Sequence, residues 1–363
     1  MGCAVACHLA RSGVDVVLLE TEDEVGLGAS GTNSGIVHTG FDSVPGELET
    51  RLILRSAALR DEVMEGLGVP ITRCGAQLVP RNEDERAKVA QIADAARVNG
   101  VDVRVHADGV REVPGEAVTD PVAYTLALAA AAEAAGADIT TGARVTRIAA
   151  HERGLTLGTV TGDELEVSAA VNSAGLRADE VARLAGDASF EIYPRKGEFF
   201  VFDPPERLEH ILLPIPTKRT KGVLVFPTID GKVIAGPTAH DQDDKDDWSV
   251  RPDAWDEVMD KVVRAYPPLE GAEPIASYAG LRPAGRGCNY VIGPSASLPE
   301  MVNVAAIRST GLSASLGIGE HVTGLLEAAG LGLGAERALA PGPREADRGP
   351  WWRRAASRER VTS

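Results

Sequence analysis

The stretch that most restricts the fold of this chain runs from Val16 to Gly40, VVLLETEDEVGLGASGTNSGIVHTG. Val16-Val17-Leu18-Leu19 is a short, β-branched apolar run of the kind that forms a strand buried on both faces. It stops at Glu20, and a carboxylate at the carboxyl end of such a strand is placed to accept hydrogen bonds from a ribose diol. The residues from Gly26 to Gly35 are too rich in Gly, Ser, Thr and Asn for a core. Small residues let backbone N–H groups approach an anion closely, and hydroxyls and amides add donors. Any one of these glycines alone describes a surface loop. Strand, acidic terminus and donor-rich loop in succession point to a nucleotide site.

Upstream, residues 2–12 read as a helix of small residues capped by Gly13, followed at once by the strand Val14–Glu20. A helix feeding a parallel strand that ends in an acid is the latter part of a dinucleotide-binding βαβ unit, and Gly2 fits the last glycine of its Gly-x-Gly-x-x-Gly turn. The first strand and first two glycines of such a unit are not in the sequence. A start site set about ten residues late is the expected explanation, by the usual length of that strand and turn. A real truncation is the alternative.

Further along, the apolar period predicts helices over Pro45–Leu67 and Glu83–Asn99, with strands at Cys74–Val79 and Val101–Val105. Asp120-Pro121 is a helix start, Asp as N-cap and Pro at the first position, and the Ala-rich run ends at Gly136. A small meander follows, then Ala169–Gly175 as a strand and turn into a helix over Ala178–Ala185. From Phe190 to Tyr278 the pattern is one of strands: Gly197–Phe202, Gly222–Phe226 and Lys232–Gly236. Val302–Ile307 reads as a buried strand running through Ser309-Thr310-Gly311-Leu312 into a helix, a donor-rich helix start that favours negative charge.

Four blocks in this order carry a resemblance to a known family: ASGTNSGIVHTG, Val171-x-x-Ala174-Gly175-x-x-Ala178-Asp179, the strands YPRKGEFFVFD and KGVLVFPTIDGKVIAGPT, and LRP…IGP with RSTGLSAS. The chain resembles FAD-dependent oxidoreductases of the D-amino-acid-oxidase-like (DAO) superfamily, most of all the L-2-hydroxyglutarate and glycerol-3-phosphate dehydrogenases. The resemblance covers roughly residues 1–330. It implies an α/β two-domain protein, a Rossmann-like FAD-binding domain apparently lacking its first strand beside an antiparallel-sheet substrate domain. Segments 1–69, 116–189 and 279–335 would form the first, 70–115 and 190–278 the second. Gly2, Glu20, Ser30, Gly31, Asn33, Ser34, Gly35, Ala174, Gly175, Ser309, Thr310, Gly311 and Leu312 would contact FAD.

The implied chemistry is oxidation of a CH–OH group by hydride loss to the flavin, with a small anionic hydroxy acid as substrate and glycerol 3-phosphate as the alternative. The electron acceptor is left open. His38 is the candidate base for the hydroxyl proton, because histidine titrates near neutrality. Arg282 stands where the superfamily's carboxylate-binding arginine does, and Arg308 is the second candidate; a guanidinium grips a carboxylate in a fork. Of the cations on the substrate-side strands, Lys196 and Lys218 are candidates for a distal anionic group. A non-catalytic homologue without flavin and an NAD(H) enzyme are the competing readings.

The formal net charge of −16 argues against nucleic acid as a partner. Four cysteines with no CxxC pair argue against a metal site and suit a cytoplasmic enzyme. The acidic run Asp241–Asp247 lacks the glycine and terminal glutamate of a calcium loop, so a solvated loop is expected. No apolar run reaches the ~20 residues of a membrane span. Residues 336–363 are expected to be a disordered tail, with Trp351-Trp352-Arg353-Arg354 offering a weak contact to a membrane surface.

Overall fold

The computed structural model describes residues 1–215, 222–342 and 349–358. Helix α1 (Gly2–Arg11) ends where Gly13 takes φ +75°, a left-handed turn that costs a glycine little. The strand Val17–Leu19 then pairs in parallel with Asp138–Thr140. Between them in sequence lie α2 (Leu48–Leu67), α3 (Glu83–Val98) and α4 (Pro121–Ala134). The α4 start is as expected: Asp120 Oδ1 accepts from the Val122 and Ala123 amides at 2.8 and 2.9 Å. Helix α5 (Ala178–Leu184) follows the strand Ala170–Asn172, which lies parallel to Met301–Ala305; that strand pairs antiparallel with Val291–Pro294.

The nucleotide-side sheet is therefore in two pieces. Val17–Leu19 and Ala170–Asn172 face one shared cavity, no described strand lies between them, and Val17 is 41% exposed.

The other layer is a nine-stranded mixed sheet that unites distant segments. Ile192–Phe202 runs antiparallel to Ala276–Gly285 over ten residue pairs, from Val201↔Ala276 to Ile192↔Gly285. Ile211–Leu213 joins Ala76–Leu78 in parallel, so segments 70–115 and 190–278 share one sheet. Helix α6 (Ala254–Ala265), which a reading of this region as strands overlooks, packs Val258, Met259 and Val262 on Phe200, Phe202 and Val225. Helix α7 (Gly311–Ala328) completes the nucleotide side against α1 and α2.

The C-terminal stretch departs from expectation. Residues 351–358 form a helix, α8, rather than a disordered tail, and Trp351 and Trp352 are each 3% exposed. Trp351 sets its edge on Tyr278 (centroids 5.5 Å apart), and Trp352 Nε1 donates to Asp230 Oδ2 at 3.0 Å. Two indoles bury too much apolar area to stay in water when a sheet face is within reach. They fill this protein's own core and leave no aromatic pair for a membrane surface. No helix among the described residues is long and apolar enough to cross a membrane.

Candidate active site

A cavity of about 2140 Å³ runs between the two layers, large enough for an extended dinucleotide with a second small molecule. Most of the residues singled out in the sequence line it: Gly2, Glu20, Ser30, Asn33, Ser34, His38, Ala174, Gly175, Arg282, Arg308, Ser309, Thr310, Gly311 and Leu312. Burial raises the Glu20 carboxyl above its ordinary value, although its Oε1 accepts the Glu22 amide at 3.1 Å. Gly175 holds φ +57°, and at Gly2 an added Cβ would lie 3.6 Å from Ser173. The hydroxyls of Thr32 and Ser173, two residues of the cavity wall, are buried with no hydrogen-bond partner among the described residues. Buried polar atoms are rarely left so.

Gly31 and Gly35 serve differently from expectation. Neither lines the cavity; a Cβ on Gly31 would meet the Gly26 carbonyl at 2.5 Å, and one on Gly35 (φ +79°) the Thr119 carbonyl at 2.4 Å. Their lack of a side chain lets the loop fold against its neighbours.

His38 is held by residues from three distant segments. Ile36–Val37 pairs antiparallel with Ala117–Thr119 in the register Val37↔Ala117, so His38 and Glu116 are the next opposed pair. His38 Nδ1 lies 2.7 Å from Glu116 Oε2, while Glu116 Oε1 accepts from the Thr39 amide at 2.6 Å and its hydroxyl at 2.8 Å. Arg60 braces the pair from α2, donating to the Val37 and Gly115 carbonyls at 3.1 Å each. The first turn of α7 adds Ser313 Oγ, which accepts the His38 amide at 2.8 Å. Glu116 is fully buried; burial by itself would raise its carboxyl, but the His38 ring and the Thr39 donors hold it below its ordinary value. An ionised Glu116 only accepts, so Nδ1 carries the proton and Nε2 is the unprotonated ring nitrogen.

Because the folded Glu116 value lies below the unfolded 4.5, its contribution to stability is complete above about pH 4.5 and is lost as pH falls through the folded value. Glu116→Gln should therefore flatten the acid limb of a plot of Tm against pH. A variant whose Tm falls as steeply as the parent's below pH 4.5 would show that this carboxylate carries no such linkage. Nothing in the local sequence, Pro114-Gly115-Glu116, marks this residue.

Arg282 lies on the long strand Ala276–Gly285 and is largely committed to the backbone. Its Nε donates to the Arg195 carbonyl at 3.0 Å and its Nη2 to those of Lys196 and Thr238 at 3.0 and 2.8 Å, leaving Nη1 without a described partner. Burial, then the nearby Arg195 charge, lowers its pKa to about 10. Arg308 sits at φ +54° with Nε on Asn289 Oδ1 at 2.7 Å. Ala306 (+56°) and Tyr290 (+51°) share that left-handed conformation. Ala306 and Arg308 line the cavity, and such non-glycine residues are backbone strain of the sort concentrated at functional sites. Thr310 Oγ1 donates to Glu49 at 2.8 Å and meets the Tyr290 hydroxyl at 2.8 Å.

Lys196 is not at the site. It is 1% exposed, absent from the cavity wall, and its Nζ donates to Asp247 Oδ2 at 2.7 Å and the Ser249 carbonyl at 3.0 Å. A buried ammonium needs a counter-ion, and Asp247 serves as one. Lys218 lies outside the described residues. No group of acidic, His or Cys side chains among the described residues could hold a metal.

Comparison with known proteins places the chain in a family. The sequence profile of the family described as FAD dependent oxidoreductase (DAO) matches residues 1–325. A glycerol 3-phosphate dehydrogenase of Caloramator mitchellensis is 27% identical over 90% of this chain and 72% of its own length. The L-2-hydroxyglutarate dehydrogenase of Escherichia coli K12 is 28% identical over 62% of this chain and 57% of its own. Among solved structures, the dithionite-reduced L-α-glycerophosphate oxidase of Mycoplasma pneumoniae, with FAD bound, superposes with a TM-score of 0.82 at 26% identity, covering 94% of both chains. This chain belongs to the DAO family of FAD-dependent oxidoreductases.

Proposed function

We propose that the protein oxidises the CH–OH group of a small anionic substrate, with glycerol 3-phosphate as the first candidate. The observation that carries the reading is the His38–Glu116 pair at the cavity wall. Glu20, Ser30, Asn33, Ser34, Thr32, Ser173, Gly175 and the start of α7 are the residues that would hold FAD. Bound FAD supplies the two-electron acceptor for the substrate's hydride.

The protein's share is positioning and proton handling. His38 Nε2 accepts the hydroxyl proton, and Glu116 holds the ring's orientation and offsets the charge that results. Arg282 Nη1 offers its two remaining donors to the substrate's anionic group, and its other nitrogens, tied to three carbonyls, keep it in place.

Glycerol 3-phosphate ranks first because the relatives named for it match along most of the chain, whereas the match to L-2-hydroxyglutarate dehydrogenase spans less of it. The second reading, an L-2-hydroxyglutarate-like acid, is favoured by Arg282, whose fork suits a carboxylate. Anaerobic titration of the flavin band with each compound decides between them. Bleaching by glycerol 3-phosphate at lower concentration supports the first, bleaching by L-2-hydroxyglutarate alone the second, and bleaching by neither removes both.

A further inference from the structure

Helix α8 lies beyond residues 1–325, the part of the chain that the family profile describes. It packs on the turn Ala29–Thr32 of the Gly-rich loop, on α4 and on the strand Ala276–Gly285. Arg354 pairs with Glu24, tying the helix to the segment between Glu20 and that loop. At its end, Arg358 lines the cavity together with Glu22, Lys245, Asp246 and Trp248. The Arg358 guanidinium lies 3.8 Å from the centroid of the Trp248 ring.

Arg358 differs from the other cations of this rim. Arg177 is neutralised by Glu180 and Asp246, and Lys245 by Asp179 and Glu180. Arg358 has no carboxylate in contact among the described residues. Glu22 and Asp246 act on it only at longer range, and burial outweighs them in lowering its pKa. A guanidinium stacked by one face on an indole keeps its edge donors available, and those donors match phosphate oxygens.

From this juxtaposition we infer that α8 closes the dinucleotide end of the cavity and that Arg358 binds a phosphate of the cofactor. A phosphorylated substrate would offer the same chemistry. Position favours the cofactor: Arg358 stands near Glu22, two residues past the ribose-facing Glu20, and on the helix that covers Ala29–Thr32. The inference rests on FAD dependence alone and is independent of which alcohol is oxidised.

The test is the dissociation constant of flavins from the full chain, read by flavin fluorescence during reconstitution of the apoprotein. Arg358→Gln should weaken FAD about tenfold, the usual worth of a charge-assisted contact, and leave riboflavin, which has no phosphate, unchanged. Arg358→Lys should recover part of the loss. An unchanged FAD constant in a variant with parental Tm would overturn the inference, and so would an equal loss for riboflavin, which marks a structural role. A raised KM for glycerol 3-phosphate with FAD affinity intact would move the cation to the substrate and overturn it too.

Discussion

Replacing His38 by alanine should lower kcat by about 10²- to 10⁴-fold, the usual worth of a positioned general base, while the purified protein keeps its flavin absorption. The expectation follows from division of labour at the site. His38 projects from the end of a two-residue strand, and its ring is oriented from behind by a carboxylate with no exposure to water. The described hydrogen bond of the His38 ring is to Glu116, which is not one of the residues that would hold FAD, from Glu20 to Ser34 and from Ser173 to Gly175. Loss of the ring should therefore be felt in turnover and not in cofactor content. Rapid-reaction measurement of flavin reduction, with flavin content determined on the same sample, checks this. Parental reduction rates would remove His38 from proton transfer, and a colourless variant would make it a structural prop of the cofactor site.

The second large effect is expected at Trp351. Truncation to alanine should destabilise the protein by about 3–5 kcal/mol, the range for emptying a buried aromatic site. Trp351 meets Tyr278, which stacks on Phe199 at 4.9 Å, and Phe199 in turn sets its edge against Phe226 at 6.5 Å. The indole thus ends an aromatic row on the large sheet, and its removal leaves a void beside the buried Tyr278 ring. Thermal and urea unfolding of Trp351→Ala beside the parent measure the effect. A transition midpoint that does not move would show that α8 adds nothing to the core.

Much of the backbone was readable locally. Asp120-Pro121 starts α4, and Gly68 and Gly136, both at positive φ, close α2 and follow α4. These signals work because a cap or a left-handed turn is satisfied within about four residues. The order of motif blocks identified the cofactor for a similar reason: backbone approach to a phosphate demands small residues at fixed spacing.

What could not be read from the chain were partnerships between distant residues. Lys196 looks like any strand cation until Asp247 arrives beside it from 51 residues away. The Trp pair follows a Pro-, Gly- and Arg-rich stretch that reads as a tail, and only the Tyr278 side of the sheet gives it a place to be buried. Glu116, in an unremarkable turn, becomes the partner of His38 through the register Val37↔Ala117 across 78 residues. Sequence alone determined most of the strands and helices, though not α6 or α8, because those with a local cap or a clear period depend on near neighbours. The tertiary structure decided which charges are neutralised and which histidine is paired with a buried carboxylate, because a buried charge takes its meaning from whatever the fold brings within about 3 Å of it.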